Sequence, residues 1–277
     1  MIRKGYVDTK GGQIHYRYCG GGAGIPLVMF HMTASSSAAF EPLMRELDGK
    51  IPLFALDTVN YGDSYRTVVE PSIGFITDVL LEALSALKVD RFHAYGHHTG
   101  VNIAVDMALK APDRVATVMA HGVNYLTAEE NAYCRENYAK SNPVHVKGTQ
   151  FMWAWNKVKD TFGEWIWLNP PHAAEILNRD TIDVLRAGEN WHWASRAVYA
   201  HDLISAIKQV KCPLLLIRGR REPVNAFEVQ GKAVKDLPHA RSYVHEAGGV
   251  YAPEAYPADF AQAVIQFIGE TEALSRT

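Results

Sequence analysis

Cysteine is scarce in this chain: Cys19, Cys134 and Cys212 are the only three in 277 residues. They are odd in number and far apart, which argues against a disulfide framework or a cysteine zinc site. Long apolar runs are missing too. No stretch approaches the roughly 20 residues a bilayer span needs. The opening Met1-Ile2-Arg3-Lys4-Gly5 runs into strand-like sequence without the apolar centre of a secretion signal. Neither charge is in excess, with 28 Lys and Arg against 30 Asp and Glu. The basic residues are scattered, so the chain carries neither a nucleic-acid footprint nor a membrane-surface helix. His121, His172, His192 and His201 show no paired ligand spacing, and no metal is expected. The tract Cys19-Gly20-Gly21-Gly22-Ala23-Gly24 leads into a strand, whereas a phosphate cradle needs a helix N-terminus. These exclusions leave a cytoplasmic protein that uses no cofactor and acts on a small molecule, with a homodimer left open.

What is present is a hydrophobic fraction of 48%, enough for a sizeable core in one domain, with or without an insertion. Val7–Thr9 and Gln13–Cys19 alternate apolar and polar residues around Lys10-Gly11-Gly12 and predict an antiparallel hairpin. Pro26–Phe30, Ile51–Leu56, Phe92–Tyr95, Val115–Ala120, Pro213–Ile217 and Arg241–His245 predict further strands. The runs 38–47, Ile73–Leu87 (Ser72 as N-cap), Asn225–Leu237 and Ala258–Ile268 predict helices. Strands alternating with helices at this spacing give an α/β chain with a doubly wound, mostly parallel sheet. The rhythm stops near Asn124 and resumes near Lys211. All 6 tryptophans fall between those points, at 153, 155, 165, 167, 191 and 193. Residues 124–205 are therefore expected to form a helical, aromatic-rich cap inserted after the sixth strand. The core would comprise 1–123 and 206–277. Tryptophan there serves either to bury a small helical core or to line an apolar pocket, and a lid can need both.

One turn stands out. Gly96-His97-His98-Thr99-Gly100 follows an apolar run and opens a segment of helical periodicity. Two glycines permit a sharp turn where strand and helix crowd together, and the middle side chain is thrust up over the sheet edge. This layout resembles the nucleophile elbow of the α/β-hydrolases, and four further landmarks resemble that family in order. They are Leu27–Phe30 with His31, Asp57-x-x-x-x-Gly62-x-Ser64, Leu214–Gly219 with Glu222-Pro223-Val224, and Gly248-Gly249-Val250 with Pro257, Phe260 and Phe267. The resemblance covers essentially the whole chain and implies the α/β-hydrolase fold, an eight-stranded mostly parallel sheet flanked by helices. Tyr61 sits near a usual glycine of the second landmark.

The positions that carry chemistry in that family depart from its pattern. The elbow residue is His98, where the family has Ser. The position of the family's catalytic histidine holds Val250. Met32 replaces the oxyanion-loop glycine. Only the acid is kept, as Glu222. A Ser-His-acid triad cannot be assembled from these positions. A histidine is longer than serine and reaches toward the space left at Val250, so a His98–Glu222 dyad is expected. Glu222 would fix the tautomer and stabilise the imidazolium, and His98 would act as a general base on water or on a carbon acid. An acyl-imidazole is the less economical route. Backbone N–H groups of Thr99 and Thr33, with Met32 as fallback, would form the oxyanion hole. His31, Tyr125, Trp153, Trp155, His192 and Val250 are the candidates for the substrate wall.

Other readings compete residue by residue. His97 and His31 resemble packing residues of the fold. Ser35, Ser36 and Ser37 suit a loop and N-cap, and His245 is a candidate relocated base. The expected activity is hydrolysis of a small hydrophobic or aromatic carbonyl compound, an ester, lactone or C–C bond. The alternatives are a cofactor-free lyase on the same scaffold and a binding protein that kept only the pocket.

Overall fold

The computed structural model describes residues 1–224 and 227–274. In chain order its elements are β1 (Arg3–Thr9), β2 (Gly12–Cys19), β3 (Leu27–Phe30), α1 (Glu41–Leu47), β4 (Leu53–Leu56), α2 (Ile73–Ala86), β5 (Phe92–His97), α3 (Thr99–Lys110) and β6 (Val115–His121). Next come α4 (Ala128–Asn137), α5 (Thr149–Phe162), α6 (Ala173–Ala187), α7 (Trp193–Ala200) and α8 (Leu203–Ile207). The chain closes with β7 (Leu214–Gly219), α9 (Phe227–Asp236), β8 (Arg241–His245), α10 (Ala252–Ala255) and α11 (Pro257–Leu274). The eight strands form one sheet in the order β1-β2-β4-β3-β5-β6-β7-β8. β1 and β2 pair antiparallel, as do β2 and β4, and the pairs from β4 to β8 are parallel.

The continuous apolar strands are explained by helices on both faces. In β3, Val28 and Phe30 join the cluster under α2 and α3. Leu27 and Met29 face the other way, toward Leu43 of α1 and Phe260 and Val264 of α11. Tyr95 and Ala94 of β5 divide between the two faces in the same manner. Burying each of the Val, Leu, Met and Phe side chains among these contributes about 1.5–3 kcal/mol before chain entropy is set against it. Ser72 caps α2 by accepting from Phe75 N.

Most predicted elements shift at their ends by a few residues, and α11 runs on to Leu274; one start differs in kind. The run 38–47 opens as a 3₁₀ turn, Ser37–Phe40, and becomes α-helical only at Glu41. Its cap is Ser36, whose hydroxyl accepts from Ala38 N. The expected start of α9 at Asn225 lies outside the described residues.

Five helices, α4 to α8, lie between β6 and β7, and buried polar contacts tie α6 and the start of α7 to the core. The Tyr61 hydroxyl donates to Trp191 O and accepts from Ala194 N, both at 2.9 Å. A glycine at that position could make neither bond. Arg179 of α6 donates to both carboxylate oxygens of Glu254 at 3.0 and 2.6 Å, and to Ser35 Oγ at 2.7 Å. Asp183 accepts from Ser36 and Asp180 from Tyr251. Among the described residues, no helix is long and apolar enough to cross a membrane.

Candidate active site

The turn after β5 positions the site. His98 is the N-cap of α3 and holds φ 49° and ψ −103°, a backbone that a non-glycine residue adopts only at a cost of order 1–3 kcal/mol. The neighbouring glycines are needed for close approach. A Cβ on Gly96 would fall 2.2 Å from Gly100 O, and one on Gly100 would fall 2.0 Å from Phe30 O. His98 N donates to His121 O at 2.8 Å, tying the strained residue to the neighbouring strand. The ring that results is buried, and Nε2 lies 3.3 Å from Glu222 Oε2. Glu222 is held in turn, its Oε1 accepting from Val224 N at 3.3 Å.

His98 and Val224 form part of the wall of a cavity of about 120 Å³ that also includes Met32, Thr33, Thr99 and Val250, with Glu222 buried behind the His98 ring. Thr99 is the first residue of α3, and the first N–H groups of a helix have no intrahelical acceptor. Beside it, Thr33 N donates to Thr99 Oγ1 at 3.2 Å, and the two threonine hydroxyls lie 2.7 Å apart. An incoming carbonyl oxygen would take over the acceptor role of the Thr99 hydroxyl, which could then turn its own proton toward the ligand.

Several residues expected on the substrate wall lie elsewhere, each with a physical reason. His31 spans the β3 loop to Thr58: its Nδ1 bonds Met32 O at 2.9 Å and its Nε2 accepts from Thr58 N at 3.0 Å. Burial pulls its pKa below the ordinary range, so it packs as a neutral ring. The Tyr125 hydroxyl donates to Asp236 at 2.9 Å. Trp153 packs on Trp191, with ring centroids 5.2 Å apart, and Trp155 is partly exposed on the outer surface of α5. His192 is buried against Trp191 at the start of α7. No tryptophan is among the residues that line the cavity. Tryptophan is used here for packing, as with Trp165, whose Nε1 donates to Ala247 O at 2.7 Å and whose ring occupies the space a Cβ on Gly249 would need.

The remaining candidates are also occupied. His97 stacks on His121 at 4.5 Å and 11°. Burial and the neighbouring His121 and His98 rings hold its pKa well below the usual value. His245 bonds Asp259 at 2.9 Å, packs against Phe260 and Tyr256, and does not line the cavity. Ser35 and Ser36 take part in the α6 contacts, and Ser37 accepts from Arg17. His15, Asp57 and Asp63 stand close enough to share an ion. Their bonds are internal, however, with Asp57 accepting from His15, Ser37 N and Asp63 N.

The cavity's other wall is polar and comes from the helical insertion: Lys157 and Thr161 of α5, Ser195 and Tyr199 of α7, and Asn124 after β6. Lys157 and Thr161 stand four residues apart on one helix face, as do Ser195 and Tyr199. That spacing is the one signal in the sequence that could have paired them. Lys157 is half-buried with Nζ 4.4 Å from the centroid of the Trp191 ring. Burial draws its pKa below the ordinary lysine value, against the attraction of Asp180 and Asp160.

No protein-family model matches the sequence. The chain is 23% identical over 290 residues to an uncharacterized carboxylesterase, nap, of Bacillus subtilis, an alignment covering 98% of this chain and 88% of that one. It is 24% identical over 258 residues to the 2-(acetamidomethylene)succinate hydrolase of Mesorhizobium japonicum, covering 89% of each. Among solved structures, a hydrolase from Pseudomonas aeruginosa PA01 superposes with a TM-score of 0.81 at 18% identity, covering 96% of this chain and 98% of that one. The fold is the α/β-hydrolase fold.

Proposed function

We propose that the protein hydrolyses a small carbonyl compound, an ester or lactone, by base catalysis from His98. The reading rests on one observation: the elbow imidazole lies 3.3 Å from the buried carboxylate of Glu222 on the wall of the cavity. Glu222 accepts a hydrogen bond from Nε2–H, which makes Nδ1 the basic nitrogen of that tautomer. That nitrogen takes a proton from water as the water oxygen attacks the carbonyl carbon. The oxyanion that develops is met by the N–H of Thr99, joined by Thr33 once its bond to the Thr99 hydroxyl is exchanged. The imidazolium, stabilised by Glu222, then returns its proton to the departing alkoxide. Water, imidazole and carbonyl account for every atom in this sequence, and no cofactor enters it.

The relatives support a hydrolase, being named as a carboxylesterase and a hydrolase. The polar wall supports a substrate with polar groups of its own, in place of the aromatic compound that the tryptophan count predicts. A panel of esters, lactones and β-diketones, run with the wild type and His98→Ala, tests the proposal. Loss of about 10²–10⁴-fold in kcat/KM is expected for the substrate turned over best. Equal rates in both proteins would remove His98 from the mechanism. Absence of turnover across the panel would leave a ligand-binding pocket.

A further inference from the structure

On the cavity wall that the helical insertion supplies, Lys157 and Asn124 each carry a nitrogen donor that has no acceptor among the described residues. Among the described residues, the Lys157 ammonium makes no hydrogen bond and no ion pair, and its near neighbour is the Trp191 ring. The second donor is Asn124, whose side-chain nitrogen is buried without a partner. Its orientation is set by a chain of amides. His201 Nδ1 lies 2.9 Å from Asn102 Oδ1, so the Asn102 nitrogen donates to Asn124 Oδ1 at 3.1 Å. The Asn124 nitrogen is thereby left as a donor without an acceptor, on a residue that lines the cavity. A buried donor without an acceptor, such as the Asn124 nitrogen, costs about 1–3 kcal/mol. A ligand that supplies the acceptors recovers that energy.

We propose that Lys157 and Asn124 form a carboxylate subsite, and that the substrate is a carbonyl compound bearing one free carboxylate at the end remote from the scissile bond. One positive charge and two donors match the charge and the two oxygens of a single carboxylate. Both residues share the cavity with His98 and Thr99, so a carboxylate held there would aim the rest of the molecule at the base. This deepens the hydrolase reading and rests on it for the word substrate; the subsite itself can be tested without turnover.

The test uses the full-length chain and a matched pair of esters, 4-nitrophenyl hemiadipate and its methyl ester. Wild type should favour the free acid by about 10–100-fold in kcat/KM, the range of a charged hydrogen bond. Lys157→Met should bring that ratio within about 3-fold of unity, and Lys157→Arg should keep most of it. A ratio near one in the wild type, or one that Lys157→Met leaves unchanged, overturns the subsite while leaving His98 untouched. Equal losses on both esters would mean that Lys157 serves the reacting oxygen and not a carboxylate, which also overturns the proposal. If neither ester is hydrolysed, calorimetric binding of monomethyl adipate decides. Affinity at least 10-fold weaker in Lys157→Met, with thermal unfolding like the wild type, upholds the subsite, and equal or undetectable binding in both proteins rejects it.

Discussion

A side chain at position 122 and the ring of His98 would need the same space: a Cβ on Gly122 would fall 2.6 Å from His98 Nε2. Gly122 follows β6 with φ 75°, so any other residue there also meets a strained backbone. The elbow histidine thus depends on a glycine from the adjacent strand, a dependence that a serine, with its shorter side chain, would not create. Gly122→Ala should displace the ring from Glu222. The expected result is a loss of at least about 10²-fold in kcat, from misplacement of the base, with a stability cost of about 1–3 kcal/mol. Steady-state kinetics and thermal unfolding measure the two effects. An alanine variant with wild-type kcat would show that the ring need not sit where it does.

Glu222 tests whether the carboxylate acts by charge or by reach. Glu222→Gln keeps the length and removes the charge that stabilises the imidazolium, so kcat should fall by about 10²–10⁴-fold. Glu222→Asp keeps the charge and withdraws it by one methylene from a contact that is already 3.3 Å long. It should fall less, by about 10-fold. A variant order in which Asp is worse than Gln would mean that Glu222 orients the ring and contributes little through its charge.

Much of the scaffold could be read from the sequence, because its signals are local. Continuous apolar runs such as Leu27–Phe30 mark strands covered on both faces, and Gly96 and Gly100 mark the elbow by their lack of a Cβ. The cavity wall was harder to read because its burial is long-range. Lys157 is one polar residue of an amphipathic helix until Trp191 and the core enclose it. Asn124 gains its unpaired donor only through Asn102 and His201, which are distant in sequence. The tryptophans misled because size and apolarity serve packing and binding equally well; whether Trp153 faces a ligand or Trp191 depends on how α5 and α7 meet. Tyr61 looked like a departure from a glycine pattern, and its meaning lies in Trp191 and Ala194, more than a hundred residues away.

The contact between α6 and the core should weaken as pH rises above neutrality. Three buried carboxylates, Asp180, Asp183 and Glu254, surround one guanidinium, Arg179, so the cluster carries an excess of negative charge that is best relieved by holding a proton. Burial pushes the pKa of Glu254 up to about 8, with Asp180 and Asp183 adding to the effect and Arg179 opposing it. Asp183 is pushed up to about 6, again chiefly by burial. An unfolded chain releases these protons near pH 4, so between that point and about pH 8 the folded state binds more of them. Stability is therefore full at low pH and is lost as pH climbs through the folded values, at about 1.4 kcal/mol per pH unit for each proton. Buried histidines such as His31 and His97, whose pKa values are lowered, act in the opposite sense. Their contribution is lost only as pH falls below the ordinary histidine value near 6.5. The interval from pH 7 to 8 isolates the carboxylates. Over that interval the wild type should lose on the order of 1 kcal/mol, a fall of about 2–4 °C in Tm, and Glu254→Gln should flatten the slope. The slope is the readout, since the substitution also removes an ion pair with Arg179 and so shifts the absolute stability. A wild-type Tm that holds steady or rises across the interval, or a Gln variant with an undiminished slope, would place the retained proton outside this cluster.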